Sequence, residues 1–305
     1  MAKSVLNAPQ FQDEKAAFAY VEARLWPNGP VCPHCTGTER IGRLEGKTTR
    51  AGLHKCYACR KPFTVRIGTI FEDSHVPLHL WLQVIHLFCC SKKGIATRQI
   101  QRMLNCSMKT AWHLGHRIRL AMAPAADVGP LGGEGKTVEA DETAMTNSPK
   151  TKFSGFRRKP YAHVLSLVER GGNIRSVTMD HRGVGRHLRT LVHQDSRLVT
   201  DGAQHYKFRG FKAHESVDHS KFEWARRDVH TNTLEGFFSI FKRGIIGVYQ
   251  HVDTRHFNRY LAEFDFRQNY REKLGINDTQ RADIALQGMK GKRLTYGTAR
   301  KAATA

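Results

Sequence analysis

Residues 137–145 read TVEADETAM, and here the helical spacing of apolar residues upstream gives way to the alternation of a strand. Alternation sends Glu139 and Asp141 to one face and Glu142 to the other. Downstream, residues 161–169 (YAHVLSLVE) and 174–180 (IRSVTMD) repeat the strand pattern, with Gly171, Gly172 and Asn173 between them as a hairpin turn. Residues 184–192 predict a helix, residues 197–200 (RLVT) a fourth strand ending at Asp201 and Gly202, and residues 214–218 a strand that completes the sheet.

A three-strand meander, a crossover helix, a strand ending in an acid and then a helix bearing another acid are the ingredients of a ribonuclease-H-like α/β core. The last of these lies within residues 228–250, DVHTNTLEGFFSIFKRGIIGVYQ. At about 100° per residue, Glu235 and Lys242 fall within roughly 20° of each other, with Asn232 one turn earlier near the same face. Leu234, Phe237, Phe238, Ile240 and Phe241 supply an apolar side. Alone, the stretch suits a solvated surface helix as well as a helix that presents a carboxylate to a site. Carboxylates gathered at ~4 Å repel by roughly 4 kcal/mol per pair at an effective dielectric of ~20. Oxygen-ligated Mg²⁺ or Mn²⁺ removes that conflict.

Lys and Arg number 49 against 27 Asp and Glu, a formal charge of +22 spread along the chain. Counterion release makes such a distribution a sequence-independent grip on phosphate, so nucleic acid is the expected partner. No apolar run approaches a membrane span, and the first fifteen residues carry no secretory or lipidation pattern. A cytoplasmic, nucleoid-associated protein is expected. Seven cysteines argue against a disulfide scaffold.

Four of those cysteines form two CxxC pairs. Cys32 and Cys35 (CPHC) precede Cys56 and Cys59 (CYAC) by twenty intervening residues, with strand-like segments between and after them. Each CxxC turn places two thiolates on one side of a tetrahedral ion, the layout of a zinc ribbon. Four thiolates leave no open position, so the zinc is structural. His34 and His54 are surplus to the ligand count, and Cys89, Cys90 and Cys106 read as core. Residues 97–104, a polar turn at 105–107 and a basic helix over 109–122 resemble a helix-turn-helix, whose second helix would enter a major groove. The expected organisation is an N-terminal helix over 1–27, a ribbon over 28–76, a helical DNA-binding region over 77–122, a Pro- and Gly-rich linker over 123–136, a catalytic core over 137–272 and a basic tail over 273–305. Residues 206–224 interleave aromatic residues with Lys, Arg and His, a composition suited to a single-stranded or distorted DNA end as well as to satellite core.

The segments EADET, VTDG and HTNTLEGFFSIFKRGIIGVYQHV resemble the insertion-sequence transposases of the DDE class, in the group with an N-terminal zinc ribbon and an ISXO-like integrase core. The resemblance spans roughly residues 15 to 271 and implies Asp141 and Asp201 as the first two acidic ligands of a catalytic Mg²⁺ or Mn²⁺ site. It implies Glu235 as the third, with Asn232 as the alternative, because the group varies at this position. Lys242 follows at the usual acid-to-base spacing. The implied reaction is hydrolysis at a transposon end followed by joining of the 3′-hydroxyl to target DNA. The implied partners are double-stranded DNA, at the element's ends and at the target, and further copies of the chain in a homodimer or larger assembly. Three other readings share parts of the pattern: a zinc-ribbon regulator, an inactive transposase derivative, and a ribonuclease-H-like nuclease without strand transfer.

Overall fold

The computed structural model describes residues 4–125, 128–145, 162–179, 183–206, 210–218 and 221–295. Two units divide it, one from Met1–Ser91, Ile95–Ala123 and Glu272–Ala305, the other from Lys92–Gly94 and Pro124–Arg271. No helix among the described residues is long and apolar enough to cross a membrane.

In the first unit, α1 (Glu14–Leu25) starts at Asp13, whose carboxylate accepts from the Ala16 N–H at 2.7 Å. A three-stranded antiparallel ribbon follows, β1 (Ile41–Arg43), β2 (His54–Cys56) and β3 (Pro62–Phe63). Then come α2 (Leu78–Cys90), α3 (Thr97–Leu104) and α4 (Met108–Met122). Pro77 at the head of α2 has no side chain to cap the first N–H groups. Glu14 of α1 does so instead, accepting from Leu78 N–H at 2.9 Å and His79 N–H at 3.1 Å, while Arg66 donates to the same carboxylate at 3.1 Å.

A short turn joins α3 to α4. Asn105 ends α3 in the left-handed region at φ +47°, and Ser107 caps α4 by accepting from Thr110 N–H at 3.1 Å. The expected basic groove-facing surface of α4 is not present. Arg117 is buried and donates to the Ile70, Glu72 and Leu294 carbonyls, and the buried Arg119 guanidinium lies 5.4 Å over the Phe88 ring. These cations neutralise inward carbonyl dipoles and a ring face, so the exposed base of α4 is Lys109 in its first turn.

The expected tail from residue 273 also differs. Asp278–Gln287 form a helix with a capping box in which Asn277 and Gln280 satisfy each other's backbone N–H groups. Ala282, Ala285, Leu286, Met289 and Leu294 are buried, and Arg281 donates to the Cys89 carbonyl at 2.7 Å. The basic residues around these apolar positions disguise a helix that closes the core. Residues 296–305 lie outside the described residues. Of the three cysteines expected in the core, Cys89 is buried, Cys106 is half-buried, and Cys90, the last residue of α2, is exposed.

The second unit is built on a sheet of order β6-β5-β4-β7-β8. Its strands are β4 (Thr137–Met145), β5 (Ala162–Glu169), β6 (Ile174–Met179), β7 (Arg197–Asp201) and β8 (Ala213–Val217). The first three form the antiparallel meander, and β7 and β8 run parallel to β4. On one face α5 (Val184–Leu191) packs Val184 and Leu188 on Val138, Ala140, Leu165 and Leu167. On the other, α6 (Asn232–Gly244) and α7 (Phe257–Asn269) bury Leu234, Phe237, Phe241, Leu261 and Phe264 against Met145, Val164 and Val168. The helix α6 continues into a π-helical turn, Ile245–Tyr249. Part of the expected linker belongs to this unit, because Leu131 bridges Val192 and exchanges backbone hydrogen bonds of 2.8 Å with Leu191 and His193. Tyr161 and Asp180, at the expected strand ends, lie outside the described residues.

Candidate metal centre and active site

The two CxxC turns are built alike. Cys32 N–H bonds to Gly37 O at 2.9 Å and Cys56 N–H to Lys61 O at 3.1 Å. Left-handed residues, Thr36 at φ +59° and Arg60 at φ +61°, directly follow Cys35 and Cys59 and let each turn fold back. The four Sγ atoms all lie within 4.8 Å of one another, with Cys32 to Cys59 at 3.7 Å and Cys35 to Cys56 at 3.6 Å. A tetrahedron of sulfurs about 2.3 Å from zinc has edges of about 3.8 Å, so the cage fits that ion. The Cys59 backbone N–H holds the Cys56 thiol down to about 7. At Cys35 the Gly37 contact lowers the value, but the sulfurs of Cys32, Cys56 and Cys59 outweigh it and lift the thiol to about 12. Such competition for protons is what a bound cation resolves. His34 is exposed, whereas the buried His54 faces Glu22 at 3.3 Å and stacks on Phe63, so neither joins the cage.

The carboxylates assemble through the sheet. The last paired residues of β4 and β7, Glu139 and Val199, each stand two positions before an acid, Asp141 and Asp201. Asp141 lies an even number of positions from Met145, and so points to the face covered by α6 and α7. Asp201 shares its face with Val199, which packs on Val217 and Val229. Burial, then the charges of Asp201, Glu142 and Glu235, push the Asp141 carboxyl up to about 7. Glu235, exposed in the first turn of α6, is thus within electrostatic reach of Asp141. Asn232 opens α6 and is exposed, and Lys242 is half-buried in its last turn. Among the described residues the four cysteines are the one group of three or more potential ligands closed to within 4.8 Å, so the carboxylates stand more widely apart.

Glu139, on the same face as Asp141, has a different use. It is fully buried, and its Oε1 accepts from Arg170 Nε at 2.8 Å and from Thr233 Oγ1 at 3.1 Å. Arg170 also donates to the His230 carbonyl at 3.1 Å. The pair therefore ties β4, two residues before Asp141, to the first turn of α6. On the opposite face Glu142 accepts from the buried Tyr206 hydroxyl and lies 2.6 Å from His205 Nε2. Sequence reasoning left these supports unassigned. Their only signal was an acid at strand spacing from Asp141 and a base just past the end of the neighbouring strand.

Residues 130–269 match the ISXO2-like transposase domain, and residues 12–62 match the transposase zinc-ribbon domain. A curated relative, an uncharacterized protein in the transposable element ISH50 of Halobacterium salinarum, is 26% identical over 291 residues, covering 87% of this chain and 94% of that protein. The ribbon match ends just past Cys59, and the second match encloses every strand of the larger sheet together with α6. With its cage of four cysteines and its acid-bearing sheet, the chain is similar, over both matched stretches, to insertion-sequence transposases of the DDE class that join a zinc ribbon to an ISXO2-like domain.

Proposed function

We propose that this chain cuts the ends of an insertion sequence and joins them to target DNA, and that its second unit is a ribonuclease-H-like core. The strand order, with an antiparallel meander followed by two parallel strands, supports the fold. The observation that carries the activity is that Asp141 and Asp201 stand two residues beyond the last pair of neighbouring parallel strands and act on one another's charge, with Glu235 of α6 adding to the effect on Asp141.

In this reading Asp141, Asp201 and Glu235 hold Mg²⁺ or Mn²⁺, hard cations suited to an all-oxygen donor set. A pair of such ions, when bound, activates an attacking oxygen and stabilises a leaving one. Glu235 is preferred to Asn232 because a carboxylate answers a hard cation better than an amide does. Lys242, two turns along α6, holds a phosphate beside the scissile bond. Glu139 and Arg170 fix the near end of α6 and so set where Glu235 stands. Water first displaces the 3′-oxygen from a terminal phosphodiester, leaving a 3′-hydroxyl and a 5′-phosphate. That hydroxyl then attacks a target phosphate and displaces a target 3′-hydroxyl. The ribbon and the exposed bases of the first unit hold double-stranded DNA, and pairing of two ends calls for a dimer or larger assembly on DNA, in the cytoplasm at the nucleoid.

The test is incubation of the purified chain with its element's end, Mg²⁺ and a plasmid target, scored for cleavage and joining. Asp141→Asn, Asp201→Asn and Glu235→Gln each lower both by roughly a thousandfold or more, about 4 kcal/mol of barrier, while binding of the end is kept. Cleavage that survives in Glu235→Gln but fails in Asn232→Ala moves the third ligand to Asn232. Cleavage without joining leaves a nuclease. Binding without either leaves a regulator or an inactive derivative.

A further inference from the structure

Between β8 and α6, two large aromatic residues are exposed. Phe222 is 83% exposed and Trp224 59%, although rings of this size are ordinarily buried. Phe222 also sits at φ +59°, a left-handed backbone that a bulky residue adopts at a cost. Strain of this kind persists where the surroundings enforce it, and here they do. Glu223 N–H donates to the Asp218 carbonyl at 3.2 Å, and the Glu223 carboxylate accepts from Asp218 N–H at 3.2 Å. Arg226 bridges Val229, which is buried against Val199 and Val217. The rings project from a built loop.

Its position is next to the carboxylates. Val217 is the register partner of Asp201, and a Cβ on Gly202 would lie 3.4 Å from the Asp218 Cα, so the segment leaves the sheet beside Asp201. It ends where α6 begins, three residues before Glu235. Lys221, Arg226 and Arg227 are exposed on the same segment, Lys221 facing Asp218 at 3.5 Å and Arg226 facing Glu223 at 3.6 Å, so Arg227 and exchange of these surface pairs supply the positive charge. A nucleobase offers a π-face to such rings whatever its identity, and the cations meet the phosphates on either side. Bases inside a duplex already stack on one another and have no face to give.

We infer that Phe222 and Trp224 form a stacking platform for unpaired nucleobases at a cut or melted DNA end. The inference rests on the reading that the adjacent carboxylates act on DNA.

The test uses the full chain without added divalent metal and fluorescence anisotropy on labelled probes of about 20 nucleotides: oligothymidine, a duplex, and a strand carrying abasic sites. Phe222→Ala and Trp224→Ala each weaken oligothymidine binding about tenfold and change duplex binding by less than about twofold. Phe222→Trp and Trp224→Phe restore it, and the wild-type chain holds the abasic strand about as weakly as the alanine variants hold oligothymidine. The conservative swaps separate loss of stacking from loss of fold, and the abasic probe reads the same property without any variant. Equal loss on single strand and duplex, unchanged single-strand binding, or full affinity for the abasic strand overturns the platform. So does sedimentation in which Trp224→Ala dissociates a dimer while single-strand binding stays intact. If end cleavage persists while base discrimination is absent, the platform alone fails. If discrimination is present and Mg²⁺-dependent cleavage is absent, the transposase reading fails instead.

Discussion

In the ribbon, two turns separated by twenty residues bring every Sγ within 4.8 Å of the others. Asp141, Asp201 and Glu235 instead arrive from two strands and a helix, and only the register of a parallel pair and the seating of α6 set them together. The first cage has β-strands of two and three residues around it and a small apolar cluster beneath, Cys32, Cys56 and Phe63, of which two members are themselves ligands. The second sits on a five-stranded sheet with apolar clusters on both faces. On the proposed reading, one region depends on its ion to fold, and the other folds first and offers its carboxylates to an ion afterwards.

Removing zinc tests that contrast with the largest effect, because a structural zinc contributes roughly 10 kcal/mol or more to folding. After chelation, hydrogen exchange opens the amides of β1 to β3 while β4, β5 and β7 keep their protection. Protected ribbon amides in the metal-free chain, or loss of protection in both regions, would break the comparison. Next in size is Arg170→Met. It leaves the fully buried Glu139 without its guanidinium, and stripping one partner from a buried pair costs about 3–5 kcal/mol in denaturant unfolding. A loss below about 1 kcal/mol would show that the near end of α6 is not held through this pair.

The third concerns Asp265, which faces Ser176 from α7. Burial pushes its carboxyl up to about 7, against the Ser176 backbone and hydroxyl hydrogen bonds that favour the charged form. Its folded value lies above the ordinary value of about 3.9, so below about pH 4 both folded and unfolded chains hold the proton. Between about pH 4 and pH 7 the unfolded chain releases it first, and stability falls by up to about 1.4 kcal/mol per pH unit as pH rises. Above about pH 7 the dependence flattens. Asp265→Asn removes this slope from the difference between the two unfolding curves, and an unchanged slope would assign it to another group.

The same contrast governs what could be read in advance. Cys32, Cys35, Cys56 and Cys59 announce themselves because their geometry is local, whereas alternation gives Glu139 and Asp141 the same face and only the family resemblance singles out Asp141 and Asp201. Arg117 and Arg119 mislead, since charge on a helix reads as a solvated side and nothing nearby in sequence says that the Ile70, Glu72 and Leu294 carbonyls await a donor. The helix at Asp278–Gln287 hides for a related reason, with its buried Ala282, Ala285 and Leu286 diluted by Asp, Arg and Gln. The Glu139 to Thr233 contact joins residues ninety-four positions apart, a separation at which only the folded register carries information.

The carboxylate of Glu14 at the head of α2 bears on how the ribbon can be inherited or exchanged. A graft that began at the first CxxC would carry the cage and abandon the acid that satisfies Leu78 and His79 and receives Arg66. The cage is therefore not the portable piece. Recombining ribbons among relatives requires Glu14 to travel with Arg66, Leu78 and His79, so the portable piece runs past the end of the family match at residue 62 to the first turn of α2.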